Sequence, residues 1–202
     1  YSTGGKIVLQ AIGGDLPSIT AHMLASNEYS GTNDYREIRI DAPIELQADT
    51  TIERVGAIVS GGKPRRMQVY SDVSGTANLT LSGHCSGSWH GAICWYGDNS
   101  FTGDVTVVGD THLYLLRSSA FGNPANQVTM TGDGTTNMEF AGMTSGSVVP
   151  NDMALPTTGS GYLGLGWGWN DSTPTNRDCT WSGDFTGGRT NSEMLRFWNR
   201  DW

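Results

Sequence analysis

Apolar residues in this chain fall in short alternating pairs, and almost nowhere do they recur at the three-to-four-residue spacing of an amphipathic helix. The pairs are Ile38/Ile40, Ile44/Leu46, Met67/Val69, Leu79/Leu81, Val105/Val107, Leu113/Leu115, Val128/Met130, Met138/Phe140 and Leu163/Leu165. Alternation turns one face of a strand inward and the other to solvent. Turn signals separate the pairs, among them Ser60-Gly61-Gly62, Ser74-Gly75, Gly97-Asp98-Asn99, Gly109-Asp110, Gly132-Asp133-Gly134 and Thr186-Gly187-Gly188. Strands with two or three inward residues are too short to build a sandwich core. They suit a solenoid, in which each strand hydrogen-bonds to the coils above and below. Three such strands with their turns make a coil of roughly 20 to 30 residues. The expected fold is all-β, a parallel β-solenoid over residues 38–202, preceded by a cap or irregular entry segment over 1–37.

Composition agrees. The 28 glycines, with abundant Ser, Thr, Asn and Asp, suit many short strands joined by tight turns. Within the entry segment, residues 16–29 read as a short helix or irregular cap, with Pro17 and Ser18 at its start. Internal echoes point to a repeat array. Residues 41–46 are echoed by 150–155, and 99–104 (Asn-Ser-Phe-Thr-Gly-Asp) by 183–188 (Gly-Asp-Phe-Thr-Gly-Gly). This divides the solenoid into two imperfect long repeats, about 41–149 and 150–202. The net charge of −8 argues against nucleic acid and anionic membrane as partners, and its plainest role is solubility. Apolar stretches such as 6–12 and 162–169 fall short of the roughly 20 residues a membrane helix needs. The chain begins at Tyr1 without a charged-then-apolar leader, so a secretion signal is expected to have been removed or to lie upstream.

Three runs carry a family resemblance: Asn78-Leu79-Thr80-Leu81-Ser82-Gly83, then Asn99-Ser100-Phe101-Thr102-Gly103-Asp104-Val105-Thr106-Val107, then 118–130 with Ser119-Ala120-Phe121-Gly122 at its corner. Together they resemble the autotransporter-associated β-strand repeat, over about a third of the chain, with a weaker second pass in the last fifty residues. Phe121 stands where that family usually has leucine, and the excursion between Cys85 and Cys94 interrupts the usual spacing. The resemblance implies a right-handed parallel β-helix of the passenger type, a stalk on a bacterial surface. On function it is nearly silent, because the fold hosts adhesins, lyases and inert stalks.

The turn 99–103 also has a mechanical reading. Asn99 can cap a turn with its own side chain, Gly103 tolerates positive φ, and Phe101 can stack on an equivalent ring. Phe185 and Gly187 are the matching residues of the second pass. Cys85 and Cys94 lie nine positions apart, a spacing that suits a disulfide closing a small excursion in an oxidising compartment. With His84 and His90 the same cysteines could instead hold zinc, and the disulfide is the stronger reading. Cys179 is left over, buried or paired with another chain.

Catalysis in a β-helix needs converging carboxylates, usually with an Arg or Lys nearby. The candidates Asp98, Asp104, Asp110, Asp133 and Glu139 form no compact pair and sit in or near glycine turns, where Asp is ordinary. No catalytic residue, metal or cofactor is assigned. Seven tryptophans are many for 202 residues. Trp167 and Trp169 alternate, so both rings are expected on one side of a strand, as a glycan or partner platform or as core. Trp198 and Trp202 near the C-terminus invite contact with a neighbour. The expected function is a structural or adhesive extracellular module of a bacterial surface stalk or filament, not an enzyme, with end-to-end self-association. The alternatives are a carbohydrate-binding module using exposed tryptophans, and a polysaccharide lyase or hydrolase.

Overall fold

A computed structural model describes residues 5–22, 37–55, 66–83, 92–109, 111–131, 136–140, 143, 146–157, 163–167, 179–188 and 195–198. Every strand pairing is parallel, and no helix occurs among the described residues. The chain is a parallel β-solenoid. Its first three rungs each carry three strands: β1 (Ile7–Leu9), β2 (Ser18–His22) and β3 (Glu37–Ile40); β4 (Ile44–Leu46), β5 (Thr50–Val55) and β6 (Arg66–Val69); β7 (Val73–Gly75), β8 (Leu79–Gly83) and β9 (Ala92–Trp95). The next two carry β10 (Val105–Val108) with β11 (His112–Leu115), and β12 (Val128–Thr131) with β13 (Thr136–Phe140). The last two carry β14 (Val148–Val149), β15 (Met153–Leu155) and β16 (Leu163–Trp167), then β17 (Thr180–Trp181), β18 (Phe185–Gly187) and β19 (Leu195–Trp198).

Two seven-stranded sheets run the length of the stack. The second face is β2-β5-β8-β10-β12-β15-β18 and the third is β3-β6-β9-β11-β13-β16-β19. The first face is interrupted: β1-β4-β7 forms one piece and β14-β17 another. Like residues stack in columns, as in Ile52–Leu81–Val107–Met130 on the second face and Met67–Ile93–Leu113–Met138 on the third. All of these are buried in one continuous core. Parallel sheets depend on such aliphatic columns, because a strand in this setting packs closely against the strands on both sides.

All nine alternating pairs lie on strands. The entry segment differs from expectation. Residues 18–22 form β2 and not the start of a helix, and β1 and β2 already belong to the first rung. Position 19 explains the miss: Ile19 needs only its column neighbour Ile52 to make a strand, and a column is invisible to local pattern. Residues 23–36 lie outside the described residues.

The two long repeats also give way to the rung. Ile44 is on the first face and Met153 on the second, so residues 41–46 and 150–155 are not equivalent. The later echo is offset. A Cβ on Gly103 would lie 2.0 Å from the Ala77 carbonyl oxygen, and one on Gly183 would lie 2.0 Å from that of Asn151. Gly103-Asp104 therefore matches Gly183-Asp184. Hydrogen-bonded corners in successive rungs are 21 to 32 residues apart, which is the true period.

Candidate functional site

Two polar systems run along the stack. One occupies the corner before the second face. The Asn78 N–H donates to Asp49 Oδ1 at 3.0 Å, the Asp104 N–H to Asn78 Oδ1 at 2.9 Å, the Gln127 N–H to Asp104 Oδ1 at 2.9 Å, and the Asp184 N–H to Asp152 Oδ1 at 2.9 Å. In each case the side chain of one rung accepts the amide of the next. The corner before the first face repeats the device, with the Asp98 N–H donating to Asp72 Oδ1 at 2.8 Å.

The second system is a buried row of asparagines. It runs from rung four, through the interruption of the first face, to rung six, where that face resumes with β14. Asn99 Oδ1 accepts the Val73 N–H at 2.9 Å, and its Nδ2 donates to the Ala120 carbonyl at 2.9 Å. Asn126 Nδ2 donates to the Phe101 and Phe121 carbonyls, both at 2.9 Å. Asn151 Nδ2 reaches the Asn123 and Asn126 carbonyls, and Trp181 Nε1 donates to the Asn151 carbonyl at 2.8 Å. Side-chain amides here satisfy backbone groups that strand neighbours would otherwise serve. Asn99 thus ties the rungs on either side of it together, where sequence suggested a cap of its own turn.

The outer side of the third face gathers the aromatic and cationic residues. Tyr70 and Tyr96 stack with ring centroids 3.9 Å apart and planes 9° from parallel, and the Arg39 guanidinium covers the outer face of Tyr70 at 3.9 Å. Arg39 Nε also donates to Asp41 Oδ1 at 2.6 Å. Beside this pile, Arg66 reaches over the small positions of β9 to lie 5.0 Å from the Tyr114 ring, and His112 tilts against the same ring at 4.8 Å. Arg66 is 5% exposed, and its Nε has no hydrogen-bond partner. Desolvation first, and then the hydrogen bond with Tyr70, push the Tyr96 phenol well above its ordinary range. On the first face, the half-buried Glu45 carboxyl is held below its usual range by its bond to Lys6, then by Gln47.

Sequence reasoning did not single out Tyr70, Tyr96, Arg66, His112 or Tyr114. One signal was present: the step Tyr-x-Asp occurs at 70–72 and again at 96–98, with Asp72 and Asp98 26 residues apart.

The residues that sequence did single out are distributed as follows. Asp98 accepts the Ser119 hydroxyl at 3.2 Å and lies 3.7 Å from Arg117 Nε, and Asp104 sits in the corner row, so both bind neighbouring rungs. Asp110 and Asp133 lie outside the described residues, and Glu139 is on β13. Phe101 is fully buried in rung four, whereas Phe185 is a strand residue of β18 and packs on Trp181 at 5.4 Å. Gly187, also on β18, has a positive φ of 79°. Trp181 also meets Phe121 at 5.9 Å, so the ring on which Phe185 packs reaches the core phenylalanine of an earlier rung.

Trp167 takes the register position that Val69, Trp95 and Leu115 fill in earlier rungs, a column of buried core residues. Trp198, paired with Gly166, belongs to the other column, that of Gln68, Cys94 and Tyr114. Trp169 and Trp202 lie outside the described residues, as do His84, Cys85 and His90. The disulfide expectation is corrected: Cys94 is in no disulfide. The physical reason is its place on β9, where its side chain is buried in a cluster with Tyr114, Tyr96 and Leu116. Cys179 is likewise in no disulfide and packs partly buried against the main core.

Comparison of the chain with protein-family models, with curated proteins and with solved structures finds no match in any of the three. The resemblance to the autotransporter-associated repeat therefore rests on the quoted motifs alone.

Proposed function

We propose that this chain is a structural module, a rigid β-solenoid that extends a bacterial surface stalk or filament and presents its faces for adhesion. The observation that carries this reading is how the polar residues are used. Asp49, Asn78, Asp104, Asp152 and the buried asparagines are bonded from rung to rung, the signature of a stack built for length and stiffness. The aromatic groups on the third face are used in the same way. The Tyr70 and Tyr96 rings cover one another and Arg39 covers the other side of Tyr70, which leaves no open face of Tyr70 to a sugar.

Antibody against the chain, applied to intact cells of the source organism, is the direct test. Labelling without permeabilisation supports the proposal. Labelling only after the envelope is opened overturns it, as does release of reducing ends or unsaturated sugars when the purified chain is incubated with acidic polysaccharides.

A further inference from the structure

Arg66 is a buried cation that no anion of the described chain meets. It opens β6 on the outer side of the third face: Met67 and Val69 belong to the core, so Arg66 and Gln68 point away from it. Outward side chains ordinarily meet solvent, yet Arg66 is 5% exposed and Gln68 6%. Among the described residues no carboxylate pairs with Arg66, and its Nε has no hydrogen-bond acceptor. The Tyr114 ring lies 5.0 Å from the guanidinium carbon. Taking a guanidinium out of water is costly unless an opposite charge and its hydrogen bonds take the place of that water, and one ring returns only a part of the cost. A buried polar group left in this state points to something that completes it.

The surroundings say what kind of group that is. His112, two rungs further along the same column, is 2% exposed and tilts against the same Tyr114 ring at 4.8 Å. Two buried basic side chains thus meet one ring in a chain with 20 acidic residues, and the described side chains beside them, Gln68, Cys94 and Tyr114, offer no carboxylate. The guanidinium presents N–H donors in a fixed fork, and the Gln68 amide is a further donor on the same side of β6. Such donors suit the oxygens of an anion. Burial sets its size. With so little of Arg66 at the surface, the place suits a small ion held within and not a polymer laid across the face.

We infer that the outer side of the third face binds a small oxyanion, a carboxylate, phosphate or sulfate ion, on Arg66, with Gln68 beside it and Tyr114 against the guanidinium. The ion neutralises a charge buried between rungs two and four, and because it binds the folded chain it stabilises the stack. This site is independent of where the module is displayed.

Equilibrium dialysis of the purified chain against labelled phosphate, sulfate and acetate, each alone, measures occupancy. Thermal midpoints over the same titrations, with ionic strength held constant by sodium chloride, measure the coupling to folding. The expected result is one ion per chain for at least one of the three, with a midpoint that rises and then saturates. Acetate as the ion bound marks a carboxylate ligand, and phosphate or sulfate a tetrahedral one. Arg66→Met is expected to bind at least tenfold more weakly and to lose the saturating rise. Sulfate and phosphate also raise midpoints without a site, and the variant reads that background. Arg66→Lys, which keeps the charge and loses the fork, is expected to fall between the two. Absence of binding by the native chain overturns the inference, as does an Arg66→Met chain that binds equally well, or a rise that never saturates and is the same in both. The dialysis of the native chain decides the matter even where a variant does not fold.

Discussion

Asn99 carries two bonds at a place where backbone groups have no strand neighbour, and it is 5% exposed. Replacing it with alanine strands the Val73 N–H and the Ala120 carbonyl. Each such orphan costs about 1–3 kcal/mol, so Asn99→Ala is expected to lower stability by about 3 kcal/mol in urea denaturation. A loss below about 1 kcal/mol would show that water replaces the amide. Tyr96 gives a second handle. Its phenol is held protonated in the folded chain, above the roughly 10 of an unfolded tyrosine. The folded state thus keeps a proton that the unfolded state releases, and the stability it contributes is full below about pH 10 and declines as pH rises further. Tyr96→Phe is expected to flatten the alkaline limb of a stability-against-pH curve. An unchanged limb would exclude Tyr96 as its source.

Among the elements, the corners are less tolerant than the strands. A Cβ at Gly103 or Gly183 would lie 2.0 Å from a carbonyl oxygen of the previous rung, and the atoms in its way are all backbone, which does not yield cheaply. Alanine at either position is expected to cost about 3 kcal/mol or more, judged by the thermal midpoint, through a local parting of two rungs. The strands themselves were readable, since every alternating pair lies on one. The corners were not, because their logic spans rungs. Asp104 looks like an ordinary turn residue until Asn78 and Gln127 are placed above and below it. Cys94 was misread for the same reason. Its register neighbours in the fold are Tyr114 and Gln68, from other rungs.

At the scale of the whole molecule, each rung is supported only by its neighbours, so resistance to opening should grade from the ends toward the middle. Amide hydrogen exchange is expected to be slowest in β8 to β13, whose rungs are flanked on both sides, and fastest in β1 and β18. Uniform protection from end to end would instead mark the stack as one indivisible unit. The interruption of the first face between β7 and β14 is bridged by Asn99, Asn126 and Asn151, and this has a consequence for how the chain finds its arrangement. Aliphatic columns look alike from coil to coil, so a growing stack guided by greasiness alone could skip or double a layer at little cost. The asparagines are few and face specific carbonyls. A skipped layer would entomb their amides against hydrocarbon, which makes the middle of the chain its own proof-reader.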